Sequence, residues 1–161
     1  MHQLDNVEKV AVKQLVGMYH DRVAHRVGEV CRLLALGKRW GVMLRRSDLL
    51  GEDGRRRLGL KLQEAGVEPR IILMAQDLWD SFEGALRQEE ALHEQVCQLA
   101  RQDQMMRWTA QLPGYGPIRS ATLISHLDTP WRFKSKSALW KYVGVGLRRE
   151  KSGEGLSRLR V

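Results

Sequence analysis

Two long apolar stripes at helical spacing constrain this chain more than any other feature. Val12, Val16, Tyr19, Val23, Val27, Val30 and Leu34 recur at steps of four and three. That places them on one narrow face of an α-helix and not on alternate sides of a strand. It is the spacing of a coiled-coil seam, and it predicts a first helix from about Asn6 to Leu36, ended or loosened by Gly37 and Gly41. Asp21, Arg22, Arg26 and Glu29 fall on other faces and are expected in solvent. The pattern resumes at Arg70 and persists to about Gln111, with Leu78, Phe82, Leu86, Leu92, Val96 and Leu99 on the inner face. About forty residues of helix would make a rod of roughly 60 Å. Between the stripes, Gly41, Gly51, Gly54, Gly66 and Pro69 leave room for a short helix around Arg56 to Glu64 and little more. Two long helices joined by so short a break predict an antiparallel hairpin. Single stripes need a further apolar face, so the helices are expected to pack together and against a second copy, as a dimerising stalk at 1–108.

Residues 112–127, LPGYGPIRSATLISHL, predict a tight turn between two further helices. Pro113 cannot continue a helix. Gly114 and Gly116 allow backbone angles closed to other residues, and Pro117 presets the first turn of the next helix. Ile118, Ala121, Thr122, Ile124 and Leu127 then follow at helical spacing. Such a turn leaves backbone N–H groups beside the positive end of a helix, where a phosphate can bind without a charged side chain. Hydrophobic-Pro-Gly-hydrophobic-Gly before a small-residue helix resembles the helix-hairpin-helix motif, which grips DNA backbone. Gly114, Tyr115, Gly116, Arg119 and Ser120 are the candidate contacts; an ordinary helix–helix corner is the plain alternative.

Charge reinforces the first reading. The chain carries a formal net charge of +8. Residues 1–100 hold 15 Lys/Arg against 15 Asp/Glu, whereas 101–161 hold 12 against 4 and account for the whole excess. A neutral helical part joined to a basic part containing the turn points to a nucleic-acid partner. The central arginines Arg45, Arg46 and Arg55 to Arg57 could also touch nucleic acid, or belong to a solvated loop with Glu52 and Asp53. No apolar run is long enough to span a bilayer, and MHQLDNVEK lacks the layout of a signal peptide. Cys31 and Cys97 lie within helical patterns, far from any CxxC, and are expected as buried thiols in a reducing cytoplasm rather than as metal ligands.

After the turn, Trp131, Phe133, Trp140 and Tyr142 interleave with Arg132, Lys134, Lys136 and Lys141. Such a mixture can stack on bases and neutralise phosphates. The favoured reading instead puts Phe133, Leu139 and Trp140 in a core behind the turn, with the basic residues facing DNA. Ser135 is a credible N-cap for a helix from Lys136 to Val143 closed by Gly144. The tail, RREKSGEGLSRLRV, is expected as a loop or strand edge.

Residues 109–153 resemble the start of the transposase domain in insertion-sequence transposases with a DEDD catalytic domain, relatives of Piv-type DNA invertases. The resemblance rests on Pro113-Gly114-Tyr115-Gly116, Arg132-Phe133-Lys134-Ser135, Val143-Gly144 and Ser152-Gly153. The long helices upstream are similar to the stalk that in this family follows a RuvC-like domain. The resemblance implies a DNA recombinase in which four acidic residues bind magnesium and a serine of the C-terminal domain attacks the phosphodiester. On residue matching, Ser152 is the candidate nucleophile, and Arg148, Arg149 and Lys151 would lower its pKa or hold the scissile phosphate. Some members of the family use a structured guide RNA, which the resemblance extends to this chain as a candidate partner beside DNA. Asp5, Asp21, Asp48 and Asp77 lie on or beside helices and do not replace the four carboxylates. The chain is therefore expected to be a piece of such an enzyme lacking the RuvC-like strands and the later basic helices. It would bind nucleic acid and dimerise but hold no cofactor itself. The combined expectation is an all-α protein with a helical stalk at 1–108 and a helix-hairpin-helix domain at 109–161. A stand-alone hairpin protein for DNA junctions and a non-catalytic coiled-coil assembly protein are the rival readings.

Overall fold

The structure, a computed structural model, describes residues 6–51, 53–127, 130–143, 148–150 and 158–160. It is all-α apart from one short ladder. Among the described residues the helices are α1 (Asn6–Arg39), α2 (Arg46–Leu49), α3 (Gly54–Glu64), α4 (Pro69–Gln102), α5 (Gln104–Thr109), α6 (Pro117–Leu127) and α7 (Lys136–Tyr142). A single 3-10 turn occupies Pro130–Arg132. Strands β1 (Arg148–Glu150) and β2 (Arg158–Arg160) pair antiparallel, with Arg148 opposite Arg160. No helix among the described residues is long and apolar enough to cross a membrane. Contacts divide the chain into two units, Gln14–Leu99 and the described residues of Met1–Lys13 with Ala100–Val161.

Within the Gln14–Leu99 unit, α1 and α4 run antiparallel. Arg26 meets Glu89, and seven residues earlier Tyr19 meets His93, four residues further along α4. Their core is built from Val30, Leu33 and Leu36 of α1 and Ile72, Ala75, Trp79 and Phe82 of α4. The seam read from the sequence is followed only in part. Val16 and Val30 are buried, but Val27 is exposed, and Leu33 and Leu36 take over towards the end of α1. A straight helix drifts about 20° per heptad relative to a strict seven-residue repeat, so its buried face turns towards whatever covers it.

What covers it is the segment expected to be almost bare. Val42, Leu44, Leu49, Leu58, Leu62 and Val67 of residues 38–70 all join the core. Gly37 lets this segment come close, since a Cβ there would lie 2.6 Å from Leu44 Cδ1. The α2–α3 corner is equally tight. The Trp79 indole N–H donates to the Leu49 carbonyl at 3.0 Å, and the Arg57 guanidinium donates to the Leu50 carbonyl. The Asp48 carboxylate accepts from the Arg45 N–H at 2.7 Å and pairs with Lys61 Nζ at 2.7 Å. Lys61 first, then the Arg45 amide, hold the Asp48 carboxyl below its ordinary range.

Of the residues expected in solvent, Glu29 is buried and Arg26 half-buried. Arg26 makes a two-pronged bond to Glu89, Nε to Oε2 at 2.5 Å and Nη2 to Oε1 at 3.3 Å, and that bond raises its pKa. Glu29 is 3% exposed; its Oε1 accepts from Arg32 Nη1 at 2.8 Å. Both lie beside the apolar stripe, close enough to be covered by α4 or its own neighbours, a fact that spacing along one helix cannot reveal. Burial pushes the Tyr19 phenol up, helped by the charge of Glu89. Cys97 is buried as expected, with Sγ 3.8 Å from His93 Nδ1, but Cys31 is exposed.

The predicted rod to Gln111 is broken. Asp103 adopts an extended conformation, and its side chain accepts from the Met106 N–H at 2.7 Å, capping α5. An aspartate oxygen that binds the amide three residues on competes with the helical bond and starts a new helix. Helix α4 thus ends at Gln102 after 34 residues.

Candidate nucleic-acid interface

The interface begins at the turn between α5 and α6. The Tyr115 N–H donates to the Leu112 carbonyl at 3.0 Å, closing a four-residue turn with Pro113 and Gly114 at its centre. Gly114 has φ +80°. Proline at the second position and a left-handed glycine at the third define a type II turn. Gly116 differs from the expectation: it does not have a positive φ, and a Cβ there would meet nothing within 4 Å. Backbone geometry therefore requires glycine only at position 114. Pro117 is the first residue of α6 as expected, and its missing N–H costs the helix nothing there.

The amides of Gly114, Gly116, Ile118 and Arg119 have no acceptor among the described residues. They stand at the positive end of an 11-residue helix, where an anion would satisfy them. The Arg119 guanidinium reaches back across this end, with Nη1 donating to the Gly114 carbonyl at 2.6 Å. It both closes the turn and adds charge to it. Tyr115 is half-buried. Ser120, expected on the exposed side, is fully buried with Ala121 and Leu127, and its Oγ has no partner. Seven residues before Leu127, it lies on the same buried face of α6, about 100° round the helix from Arg119.

An open hollow of about 340 Å³ adjoins the start of α6, lined by Ala100, Arg101, Arg107, Ala110 and Pro117. Arg101 and Arg107 are additions to the sequence-derived set. Spacing did not reveal them, because they precede the turn and only the fold brings them beside Pro117. Exposed Trp108 and Leu112 lie on the same side of the sequence break. Met106 is the one buried residue of α5.

The 3-10 turn and α7 carry the remaining basic side chains. Ser135 caps α7, accepting from the Ala138 N–H at 3.2 Å. Lys134, Lys136 and Lys141 are exposed, as is Arg132. The core expected behind the turn forms only in part. Of the three residues expected in it, Phe133 and Leu139 are half-buried and Trp140 is exposed, as are Trp131 and Tyr142; no residue of α7 is fully buried. Helix α7 is too short to bury one face while its other contacts hold its end: the Tyr142 hydroxyl donates to the His126 carbonyl at 3.1 Å. Arg148 and Arg149 fall in β1, while Lys151, Ser152 and Gly153 lie outside the described residues. Among the described residues no three His, Cys, Asp or Glu side chains come together as a metal site.

A basic helical segment with an amide cluster at a glycine turn has the geometry that can accept an anion. Residues 106–160 match the Transposase IS116/IS110/IS902 family. Over 146 residues the chain is 24% identical to the "Putative transposase y4pF/y4sB" of Sinorhizobium fredii (strain NBRC 101917 / NGR234), an alignment covering 88% of this chain and 36% of that protein. The chain thus spans about a third of the length of this curated relative. No solved structure matches it.

Proposed function

We propose that this chain is the DNA-holding part of a transposase, and that the α5–α6 turn is a helix-hairpin-helix grip on the phosphate backbone. The observation that carries the reading is the unpaired amide cluster of Gly114, Gly116, Ile118 and Arg119, set in a segment that matches a transposase family. Arg119 stands at the turn, Arg101 and Arg107 line the adjoining hollow, and Arg132, Lys134, Lys136 and Lys141 add positive charge. These groups bind phosphate and not base edges, so affinity depends on salt and hardly on sequence.

A gel-shift titration with a duplex of arbitrary sequence tests this. The logarithm of affinity should fall linearly with the logarithm of salt concentration, with a slope of about 0.9 for each phosphate neutralised. Gly116→Glu should weaken binding tenfold or more while leaving the helical circular dichroism unchanged, because that position has open space for a side chain. Salt-independent binding, or a Gly116→Glu variant that binds as well as the parent, would remove the turn from the interface.

The catalytic assignment belongs to the same reading. Ser152 is proposed as the nucleophile that attacks the phosphodiester, displacing a 3′ or 5′ oxygen and leaving DNA ester-linked to the serine. Arg148, Arg149 and Lys151 would steady the phosphate. Magnesium is implied by the family resemblance, but the described residues do not fit a site for it, and no step is assigned to the ion. The whole enzyme would include an acidic RuvC-like domain, with a guide RNA and a second copy as further partners. With such a domain joined, Ser152→Ala should abolish a covalent protein–DNA adduct seen on denaturing gels. An adduct that survives the substitution places the nucleophile elsewhere.

A further inference from the structure

We propose that the 3-10 turn and α7 form a stacking platform for unpaired bases, so that this chain binds single-stranded nucleic acid on a surface separate from the α5–α6 turn. The proposal rests on the assignment of the basic segment to nucleic acid, but not on the turn. Its first support is exposure. Trp131 is 86% exposed, Tyr142 50% and Trp140 45%. Rings this open to solvent can take a base against them.

Order is the second support. The Tyr142 hydroxyl is tied to the His126 carbonyl, and its ring centroid lies 5.1 Å from that of Phe133. The Arg132 guanidinium sits 4.9 Å from the Phe133 centroid and 4.8 Å from that of Tyr142. These contacts bring the 3-10 turn and α7 side by side. Lys136 Nζ lies 4.8 Å over the Trp140 ring. Phe133 and Tyr142 are therefore held in place, which lowers the entropy lost when a base stacks beside them.

Charge selects the occupant. Between 104 and 143 the sequence holds six Lys/Arg against one acid, Asp128. A second copy of this face, or an ordinary protein surface, would bring like charge or uncompensated desolvation to Arg132, Lys134, Lys136 and Lys141. A polynucleotide supplies a phosphate for each cation and a flat ring for each aromatic. It must be unpaired, because in a duplex both faces of each base are already stacked.

The test is to titrate the whole chain with oligothymidylate and oligouridylate of roughly twenty nucleotides, and with a duplex of equal length. Tryptophan fluorescence and the anisotropy of a labelled strand report binding. Both single strands should quench the fluorescence. Trp140→Ala and Trp131→Ala should each weaken single-strand binding about tenfold, with duplex binding changed less than twofold, while Trp140→Phe retains most of the affinity. Tighter binding of oligouridylate would identify RNA as the preferred source, and of oligothymidylate DNA. Equal loss for single strand and duplex, or no loss for either, overturns the platform. So does a dimer, seen by sedimentation, that Trp131→Ala dissociates without affecting single-strand binding. If Gly116→Glu spares both ligands while Trp140→Ala still impairs the single strand, the phosphate-grip reading has failed and the platform stands.

Discussion

Phe82→Ala is expected to lower the stability of the Gln14–Leu99 unit by about 3–5 kcal/mol. Phe82 is 1% exposed and packs within the core cluster, its ring edge-on to Trp79 at 6.4 Å between centroids. Alanine removes most of the side chain's transfer free energy and leaves a cavity that helices pinned on three sides cannot fill. Residues of α1, α3 and α4 all contribute to that cluster, so collapse at one wall opens another. A single domain has about 5–15 kcal/mol in total, so this one change should move the urea midpoint by a large fraction of its value. Leu78→Ala, at a half-buried position of the same helix, should cost clearly less. Equal losses at the two positions would mean that the core is not centred where the structure places it.

The second large effect is at a glycine. A Cβ at Gly54 would lie 2.4 Å from the Leu49 carbonyl oxygen and 2.9 Å from Trp79 Nε1. Those two atoms are hydrogen-bonded to each other in the interior. Gly54→Ala must therefore push apart backbone and indole. Overpacking costs about 1–3 kcal/mol, and a buried group left without its bond costs about 1–3 kcal/mol more. The combined loss should be about 2–6 kcal/mol in a denaturant titration. Gly84→Ala provides the opposite sign. It lies inside α4 with open space around the missing Cβ, and there alanine should stabilise by about 0.5–1 kcal/mol through helix propensity. A Gly54→Ala variant as stable as the parent would show that the α2–α3 corner can relax.

Much of the fold was legible in one dimension. Repeats at three and four residues marked α1 and α4, Pro117 marked the start of α6, and Ser135 marked the cap of α7. Each of these signals is local: a dihedral preference, a missing amide or a side-chain oxygen acting within one turn of helix. The break at Asp103 was equally local and was passed over, because the apolar spacing on either side of it nearly continues. The core role of residues 38–70 was not legible. Leu44, Leu49, Leu58 and Leu62 are too few and too irregularly spaced to show a period, and their burial depends on α1 and α4 being present.

The candidate site divides in the same way. The turn, its proline and its left-handed Gly114 follow from residue chemistry, as does the concentration of positive charge in 101–161. The unpaired amides depend on how the chain continues beyond the turn. Arg101 at the end of α4 and Arg107 of α5 enter the site only because the fold brings both beside Pro117. Ser120 leaves the surface, and Trp131, Trp140 and Tyr142 remain on it, contrary to what their hydrophobicity suggests.

By itself the sequence determined the helices, the turn and the sign of the charge, since each is set by neighbours within a few residues. Tertiary structure decided which faces were covered. Burial depends on where distant segments come to rest, and that turned Arg26 and Glu29 inward while leaving Trp131 and Trp140 in water.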